Sequence, residues 1–517
     1  MILYPFALCL LLVSAALGAS GTRDTIIAGQ TYTLLPAEVL AAQLRQARGP
    51  LSYRRTAVAG PLDAKLAGID EVRVPLEFDE VLFLDQVDLA QVVFRAPVRA
   101  AQTSFERGLS LLGTHFADSL VLVESQWRGP LSANQAVFGG RFSLAQSRFY
   151  ASASFIGARF NGPTSTFARA RFEGGAFFEA TTFAGPADFS DVYFEATSSF
   201  KHAAWEGGGT FAGARFKDRS FFWNATFGGS ANFDLARFGS ETSFSQVRFA
   251  GPVAFRRAVF VHPAHFEQVE FAAGADFTGS HFKRLADFGA VQAAAPLELG
   301  ASFSGDLDLR RSRAPLVDLR PPADTVSDSL ADSTGTARLF LQDNRCDQLL
   351  VRWDTVANRL AVPDSMGGQS MDGVYAFLGG QFAAQGLGAD ALRCRSAGRE
   401  YRRQTLPWSS PEKYFLLGWR LTTGYGADLL QFFYFSAVVV LGFALLYRRG
   451  LHAFRPLQGA RAFSLGSCLL FSLQTFLRVG AHAWRPSGAY RLLALVQGLA
   501  GWGAWALFIA ALLAQMS

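Results

Sequence analysis

Few residues of this chain have the types and the spacing that catalysis or metal binding requires. The 517-residue sequence holds seven histidines and four cysteines, and they are scattered. His262 and His265 lie near each other, but no Cys or carboxylate lies beside them at metal-ligand spacing, so we interpret them as surface residues. The sequence has no phosphate loop, dinucleotide fingerprint or nucleophile elbow. We therefore expect no enzyme, no cofactor and no metal.

The cysteines leave one question open. Cys9 lies in an apolar run at the N-terminus, and Cys468 lies in an apolar segment near the C-terminus. Two interpretations stay open for Cys346 and Cys394: a disulfide, as in an exported protein, or two separate thiols.

Three apolar segments near the C-terminus could position an ion pathway. Residues 429–447 and 492–513 are long enough to cross a bilayer, whereas residues 463–477 are too short and suit a re-entrant or interfacial helix. This order resembles the pore module of tetrameric cation channels. The string Ser472-Leu473-Gln474-Thr475-Phe476 resembles the end of a pore helix in the two-helix potassium-channel family. The resemblance implies a filter after Thr475 and a homo-oligomer, a tetramer if the module is channel-like.

The chemistry of such a filter is degenerate in this sequence. A potassium filter needs a run of Thr and Gly whose backbone carbonyls surround the ion. Here the filter-like position holds Thr475, Arg478 and Gly480, and Arg478 would bring positive charge to the axis of a tetramer. We therefore expect no potassium-selective current.

A second string, Thr422-Thr423-Gly424-Tyr425-Gly426, also spells a plausible filter. Two interpretations stay open: a filter preceded by a short pore helix at 414–419, or an interfacial turn whose glycines end a helix before the first span. We favour the turn, because a pore module needs an outer spanning helix. None precedes the string once the predicted signal peptide at 1–19 is removed.

An aromatic repeat dominates the rest of the chain. Between residues 172 and 288 one aromatic recurs at alternating steps of 6 and 5, which is a period of 11 residues. This core ladder consists of Phe172, Phe178, Phe183, Phe189, Phe194, Phe200, Trp205, Phe211, Phe216, Phe222, Phe227, Phe233, Phe238, Phe244, Phe249, Phe255, Phe260, Phe266, Phe271, Phe277, Phe282 and Phe288. A helix would split these residues into two stripes, and a flat strand would scatter them over both faces. The spacing therefore predicts a chain that turns a corner after every five or six residues and stacks its coils.

A second periodicity accompanies the ladder. The residue two positions before each aromatic is small, from Ala170 to Ala286, which a narrow interior of fixed bore explains. This double pattern resembles the pentapeptide-repeat family, in its subtype with Phe at alternating 5 and 6 residues. The resemblance implies a mainly β fold, a right-handed quadrilateral parallel β-helix, followed here by a helical hairpin and a two-span α-helical membrane domain.

The remaining segments complete the predicted organisation. It consists of a signal peptide at 1–19, an N-terminal cap at 20–71 with a helix at 36–47, the β-helix at 72–320, a linker at 321–336, a helical connector at 337–407 and a transmembrane domain at 408–517. An uncleaved anchor is the alternative to the signal peptide, because the N-terminal region has no Lys or Arg. A binding module is the alternative to the connector, in which Val374, Leu378 and Phe382 share one helical face.

The charge distribution predicts the topology. Residues 78–288 carry 19 Lys and Arg against 20 Asp and Glu. This part of the predicted β-helix, the rod, is therefore nearly neutral although the chain has a net charge of +6. The loop between the spans carries Arg448, Arg449, Arg455, Arg461, Arg478, Arg485 and Arg491. Positive loops face the cytoplasm, so we expect a multi-pass protein of a bacterial cell membrane with its repeat domain outside and lipid as one partner. A potassium channel has the opposite topology.

Three functions remain. The leading one is a membrane-anchored scaffold or recognition protein that is non-enzymatic and binds a protein partner which the sequence does not identify. The second is an ion channel subunit with the rod as its regulatory domain. The third is duplex-DNA mimicry against a topoisomerase, as in some soluble pentapeptide-repeat proteins. It needs an acidic rod in the cytoplasm, so no nucleic-acid partner is expected.

Overall fold

The structure, a computed structural model, describes residues 23–27, 29–320, 337–362, 369–457, 463–479 and 483–516. The chain divides into two compact units. The first falls within Met1–Ala337 and Arg345–Asp347, and the second within Arg338–Asn344 and Gln348–Ser517. The predicted signal peptide at 1–19 and the predicted linker at 321–336 lie outside the described residues.

The first unit is a parallel β-solenoid of about 13 turns. Each turn contributes short strands to four ladders, which we name A to D, and equivalent residues of neighbouring turns pair directly, as Arg215 does with Arg237. Ladder A consists of Thr56–Ala59, Leu82–Phe83, Ser104–Phe105, Gln126–Trp127, Arg148–Phe149, Arg171–Phe172, Tyr193–Phe194, Arg215–Phe216, Arg237–Phe238, Val259–Phe260, His281–Phe282 and Ser302–Phe303. Ladder B consists of Leu62–Asp63, Val87–Asp88, Leu109–Ser110, Leu131–Ser132, Ala153–Ser154, Ala176–Phe177, Ser198–Ser199, Ser220–Phe221, Thr242–Ser243, Ala264–His265, Ala286–Asp287 and Leu307–Asp308.

Two further ladders complete each turn. Ladder C consists of Glu71–Val72, Val93–Phe94, His115–Phe116, Val137–Phe138, Arg159–Phe160, Thr182–Phe183, Ala204–Trp205, Thr226–Phe227, Arg248–Phe249, Glu270–Phe271 and Gln292–Ala293. Ladder D consists of Leu51–Arg54, Leu76–Asp79, Val98–Ala101, Leu120–Val123, Phe142–Ser143, Ser165–Thr166, Ala187–Asp188, Gly209–Thr210, Ala231–Asn232, Val253–Ala254, Ala275–Asp276, Leu297–Glu298 and Arg313–Asp318. The ladders therefore begin before residue 72, where the sequence placed the start of the β-helix.

The aromatics of the core ladder are buried and pack along the axis of the solenoid. Phe233 is fully buried and stacks on Phe211 and Phe255 of the neighbouring turns, with ring centroids 4.9 and 4.7 Å apart. It also meets Phe222 and Phe244 of another column edge to face, at 5.6 and 5.3 Å. Stacked and edge-to-face rings are both favourable aromatic geometries, so each ring is held along the axis and across it.

The alternation of 5 and 6 residues has a local cause. Each five-residue step contains one residue in the left-handed region two positions after the aromatic, for example Asp191, His202, Asn224 and Leu235, with φ between 54° and 61°. The left-handed residue turns the chain sharply, so this corner needs one residue fewer than the corner of a six-residue step. The small residues two positions before the aromatics point inward, and nearly all are buried.

The N-terminal end of the solenoid differs from its middle. The strands Arg23–Ile27 and Gln30–Pro36 pair antiparallel, and the second joins ladder A in parallel. The predicted cap helix forms as α1, Ala37–Gln46, and buries Leu40 and Leu44. These leucines line an apolar cavity of about 60 Å³ that continues along the first turns.

The second unit is mainly helical. Its helices are α2 (Trp353–Val356), α3 (Gln369–Ala384), α4 (Gly388–Thr405), α5 (Pro411–Thr423), α6 (Leu430–Arg448), α7 (Leu465–Leu477) and α8 (Ala489–Met516), with short 3₁₀ turns at Gly424–Gly426 and Leu451–Ala453. A two-stranded antiparallel sheet pairs Phe454–Pro456 with Trp484–Pro486, the segments that precede and follow α7.

The predicted connector is helical only in part. The strands Leu339–Phe340 and Arg345–Leu350 occupy its first residues, so the expectation of helix from residue 337 is wrong there. Helices α3 and α4 form the predicted hairpin, and Val374, Leu378 and Phe382 are buried on one face of α3.

Two described helices, α6 and α8, are long and apolar enough to cross a membrane. They match the spans expected at 429–447 and 492–513, and α7 matches the short segment expected at 463–477.

Candidate functional site

The filter-like position lies at the end of α7. The Thr475 hydroxyl donates to the carbonyl of Phe471 at 2.7 Å, so it is bonded back into its own helix. Arg478 follows the helix in the left-handed region, at φ 52°. Its guanidinium lies over the ring of Trp502, 5.2 Å from the centroid. Gly480 lies outside the described residues.

A buried polar network joins α6, α7 and α8. The Tyr447 hydroxyl donates to Gln497 Oε1 at 2.7 Å, and Gln497 Nε2 donates to the Ser472 carbonyl at 3.0 Å. The Ser472 hydroxyl donates to the Val440 carbonyl at 2.7 Å. Since all three side chains are fully buried, each bond satisfies a group that would be costly to leave unpaired. This network was not predicted from the sequence, although a polar residue such as Gln497 inside an apolar run is a signal for one.

Small residues allow α7 to lie close against α8. A Cβ atom at Gly501 would lie 2.2 Å from the carbonyl oxygen of Phe476, so no other residue fits there without a shift of the backbone. Ala504, one turn further along α8, packs in the same apolar cluster as Phe476. The short helix is thus held tightly against one of the two long ones.

The second filter-like string forms a turn at the end of α5. Gly424, Tyr425 and Gly426 all have positive φ, between 55° and 91°. The Thr423 carbonyl accepts from the amide of Asp428 at 3.2 Å, and the Gly424 carbonyl accepts from the amide of Ala427 at 3.2 Å. These carbonyls are therefore bonded within the chain.

The carbonyl of Tyr425 in this string faces a cation. Arg399 Nη1 donates to the Tyr425 carbonyl oxygen at 2.7 Å. The same guanidinium lies over the ring of Trp419, 4.1 Å from the centroid, and burial lowers the pKa of Arg399. A fixed positive charge on a carbonyl opposes cation binding there. The interfacial-turn interpretation agrees with this geometry.

A charge cluster centred on Glu400 holds the turn in place. Its carboxylate accepts from Arg403 at 2.6 Å, from Arg420 at 3.1 Å, from Gln404 at 2.9 Å and from the Tyr425 hydroxyl at 2.8 Å. The bonds from Arg403 and the other donors lower the pKa of Glu400 to about 2. Burial raises the pKa of Tyr425 to about 12. The cluster therefore stays charged at neutral pH and ties α4 to α5 and to the turn.

The cysteines are thiols in the structure. Cys346 and Cys394 are both buried as thiols and not joined as a disulfide. The Cys394 Sγ donates to the carbonyl of Tyr375 at 3.5 Å. Burial raises the pKa of Cys346 to about 11 and that of Cys394 to about 12, so neither is an activated nucleophile.

One of the two neighbouring histidines, His265, has carboxylate partners. His265 lies on ladder B between Glu241 and Asp287, with nitrogen–oxygen distances of 3.6 and 3.8 Å. The neighbouring Asp287 carboxylate raises the pKa of His265. These partners were not predicted from the sequence because they lie one turn away along the solenoid. Within the described residues, no group of three or more His, Cys, Asp or Glu is placed to hold a metal ion.

Comparison with known proteins supports the repeat alone. Residues 222–270 match the family model described as pentapeptide repeats (9 copies). No curated protein and no solved structure matches the chain. The chain is thus similar to pentapeptide-repeat proteins over part of its solenoid, and its helical unit has no counterpart in these comparisons.

Proposed function

We propose that this protein is a membrane-anchored recognition scaffold, in which the solenoid presents rigid faces to a partner and α6 and α8 anchor it in a bilayer. The proposal includes no catalytic role and no cofactor. The observation that carries it is the combination, in one chain, of a solenoid with a fully buried aromatic axis and two helices with exposed apolar faces.

The rigidity of the solenoid supports the recognition role. Every backbone ladder pairs turn to turn, and the rings stack along the axis. A rigid surface loses little conformational entropy on binding, so less of the free energy of its contacts is offset. Four ladders per turn support a quadrilateral cross-section, and its right-handed sense follows from the resemblance to the repeat family.

The exposed faces of the two long helices support the anchoring role. On α6 the exposed apolar residues include Leu430, Val438 and Leu445, and on α8 they include Leu499 and Ile509. Only 22% of each apolar window is buried within the chain. Apolar surface of this extent is stable against lipid and unstable in water.

Protease digestion of intact spheroplasts tests the proposed topology. We expect the solenoid to be removed and the segment 449–461 to be spared, because the Arg-rich loop favours the cytoplasmic side. Full protection of the solenoid would place it in the cytoplasm. Recovery of the protein in the soluble fraction after cell lysis would contradict the anchoring itself.

An ion channel subunit, with the rod as regulatory domain, is the second candidate. The observation that favours it is α7, a short helix clamped between two long ones by the Tyr447–Gln497–Ser472 network. Against it stand the cation at Arg478 and the bonded carbonyls of the Thr422–Gly426 string. Purified protein in planar bilayers under a potassium gradient is the test. We expect no potassium-selective current, and a selective current that disappears in Gly424→Ala would make the string a filter.

A further inference from the structure

The surface charge of the solenoid is not evenly distributed. On ladder A, the positions directly before and after the inward aromatic carry six cations between residues 126 and 239. These cations are Arg128, Arg148, Arg171, Arg215, Lys217 and Arg237. Two acidic residues, Glu173 and Glu195, lie among them. The rod is neutral as a whole, but this face is basic.

The other three ladders show the opposite balance over the same turns. At the corresponding positions between residues 131 and 235 they carry two cations, Arg159 and Lys201. The acidic residues at those positions are Glu179, Asp188, Glu206 and Asp234. The concentration of positive charge on ladder A is therefore a property of one face.

Four of these cations form a straight stripe together with one tyrosine. Arg148, Arg171, Tyr193, Arg215 and Arg237 occupy the same strand position on five successive turns and pair in register. At about 4.8 Å per turn, four steps give a stripe about 19 Å long. A linear ligand can follow it along the axis of the solenoid.

The first part of the stripe is already ordered. Glu173 pairs with Arg148 and with Arg171, the latter at 3.1 Å. Glu195 pairs with Arg171 at 2.8 Å and with Lys217 at 2.7 Å. These bonds fix the cations before a ligand arrives, which lowers the entropic cost of binding.

Two rings hold the arginines from the side. The guanidinium groups of Arg128 and Arg148 lie over Tyr150, at 5.2 and 4.7 Å from its centroid, and that of Arg171 lies 4.4 Å over Tyr193. Guanidinium groups of the protein itself thus lie on these rings. Bases of a single-stranded nucleic acid would compete with these guanidinium groups for stacking on the rings.

Arg215 and Arg237 complete the stripe differently. Both are exposed, and within the described part of the chain neither has an anionic partner. Gly239 follows on the adjacent position, so the surface beside Arg237 carries no side chain. Two neighbouring unpaired guanidinium groups are matched by anionic groups of a ligand, which they can bind through two parallel hydrogen bonds each.

We propose that the ladder A stripe binds a linear acidic polysaccharide whose sugars carry carboxylates and free hydroxyl groups. The cations attract the carboxylates, and the remaining lone pairs of Glu173 and Glu195 accept from hydroxyl groups. A polyphosphate or a DNA backbone has no such donors and meets the two glutamates as repulsion alone. This inference names the partner of the recognition scaffold proposed above and rests on that proposal.

Polygalacturonate is the probe for this inference, measured with the full-length protein in detergent. The affected variant is the double substitution Arg215→Gln/Arg237→Gln. We expect its dissociation constant to rise by about tenfold or more, because two charge-assisted contacts are lost. A single Lys217→Gln should weaken binding by less, since Glu195 already neutralises part of that charge.

The matched control is Arg159→Gln/Arg248→Gln. It removes the same number of charges from the same strand position on ladder C. We expect its dissociation constant to change by less than about twofold, and both double variants to keep the unfolding temperature of the parent. Equal losses in the two double variants would reduce the effect to net charge and overturn the assignment to ladder A.

Three further probes decide the class of ligand. Inorganic polyphosphate, a short duplex DNA and vesicles of anionic lipid are compared with polygalacturonate. Each is measured at two salt concentrations, because the binding of all four probes weakens as the salt concentration rises. We expect polygalacturonate to bind tightest per charge. Tighter binding of any other probe, or no binding of polygalacturonate, would overturn the proposal. If the protein is anchored in the membrane with its solenoid outside but does not bind polygalacturonate, this inference is refuted and the scaffold proposal is not.

Discussion

At the scale of single residues, the corners of the solenoid impose a cost that substitution can remove. Leu235 sits in the left-handed region at φ 61° and is 62% exposed. For most residues with a Cβ the left-handed conformation costs about 1–2 kcal/mol, whereas Asn adopts it more easily. Leu235→Asn should therefore raise the free energy of unfolding by about 0.5–1 kcal/mol, measured by urea denaturation.

The control for this prediction is another exposed leucine. Leu112 is 43% exposed and does not have a positive φ. Leu112→Asn should change the stability by less than about 0.5 kcal/mol. If both substitutions stabilise the protein equally, the gain comes from removing exposed apolar surface and not from the corner.

The axial rings should dominate the stability of the solenoid. Phe233 is fully buried among other rings, so Phe233→Ala should cost about 3–5 kcal/mol of unfolding free energy. Phe303, near the end of the ladder, stacks on Phe282 at 5.1 Å, and its truncation should cost less. Urea denaturation of both variants is the measurement. Equal, sub-kcal costs would contradict the axial role.

At the scale of structural elements, the N-terminal turns are packed less densely than the middle. Leu122 on ladder D lines the cavity of about 60 Å³, while Leu144 on the next turn of the same column does not. Leu122→Phe should fill the void and stabilise the protein by about 0.5–2 kcal/mol. Leu144→Phe should destabilise it by about 1–3 kcal/mol through overpacking. Thermal unfolding distinguishes the two, and a matching sign for both would contradict the cavity.

The Glu400 cluster should make the helical unit sensitive to acid. The pKa of Glu400 is lowered from an ordinary 4.5 to about 2, so its stabilisation is present above about pH 5 and is lost as the pH falls through this window to 2. Glu400→Gln should abolish that acid-dependent loss, about 1 kcal/mol after solvent screening. Circular dichroism of the full-length protein during acid titration in detergent is the measurement.

A nearby carboxylate provides the comparison. Glu412 pairs with Arg402 at 2.8 Å but takes no part in the cluster around Tyr425. Glu412→Gln should leave the acid transition where it is. If Glu412→Gln moves the transition as far as Glu400→Gln does, the turn is not held by the cluster.

At the scale of the whole molecule, the repeat sets which changes of length the solenoid accepts. Arg215 pairs with Arg237, so one full turn is 22 residues. Deleting residues 229–250 removes one turn and rejoins every column, and we expect a folded protein that unfolds cooperatively. Deleting residues 229–248 shifts the register by two positions, brings small residues into the positions of the aromatics and should prevent folding. Circular dichroism with urea denaturation compares the two, and equal stability would contradict the register.

The parts that were predictable from sequence share one physical property, which is locality. The slot of each residue in the 11-residue period decides whether it points inward, because a large ring and a small neighbour fill the same narrow bore in every turn. The same holds for α6 and α8, whose length and apolar composition are visible in one window of sequence. The strands at residues 339–350 were missed because short segments lack a period long enough to separate strand from helix.

By itself, the sequence determined the coiled solenoid, its aromatic axis and the two apolar helices, since each is a repeated or continuous local pattern. Tertiary structure alone decided which polar groups meet. Arg399 reaches the Tyr425 carbonyl, and Gln497 joins Tyr447 to Ser472 across three helices. Such pairings depend on the relative positions of elements that lie far apart in the chain, and a polar side chain has many partners of similar energy. Packing of the apolar surfaces selects one of them, and that selection is not written in any local pattern.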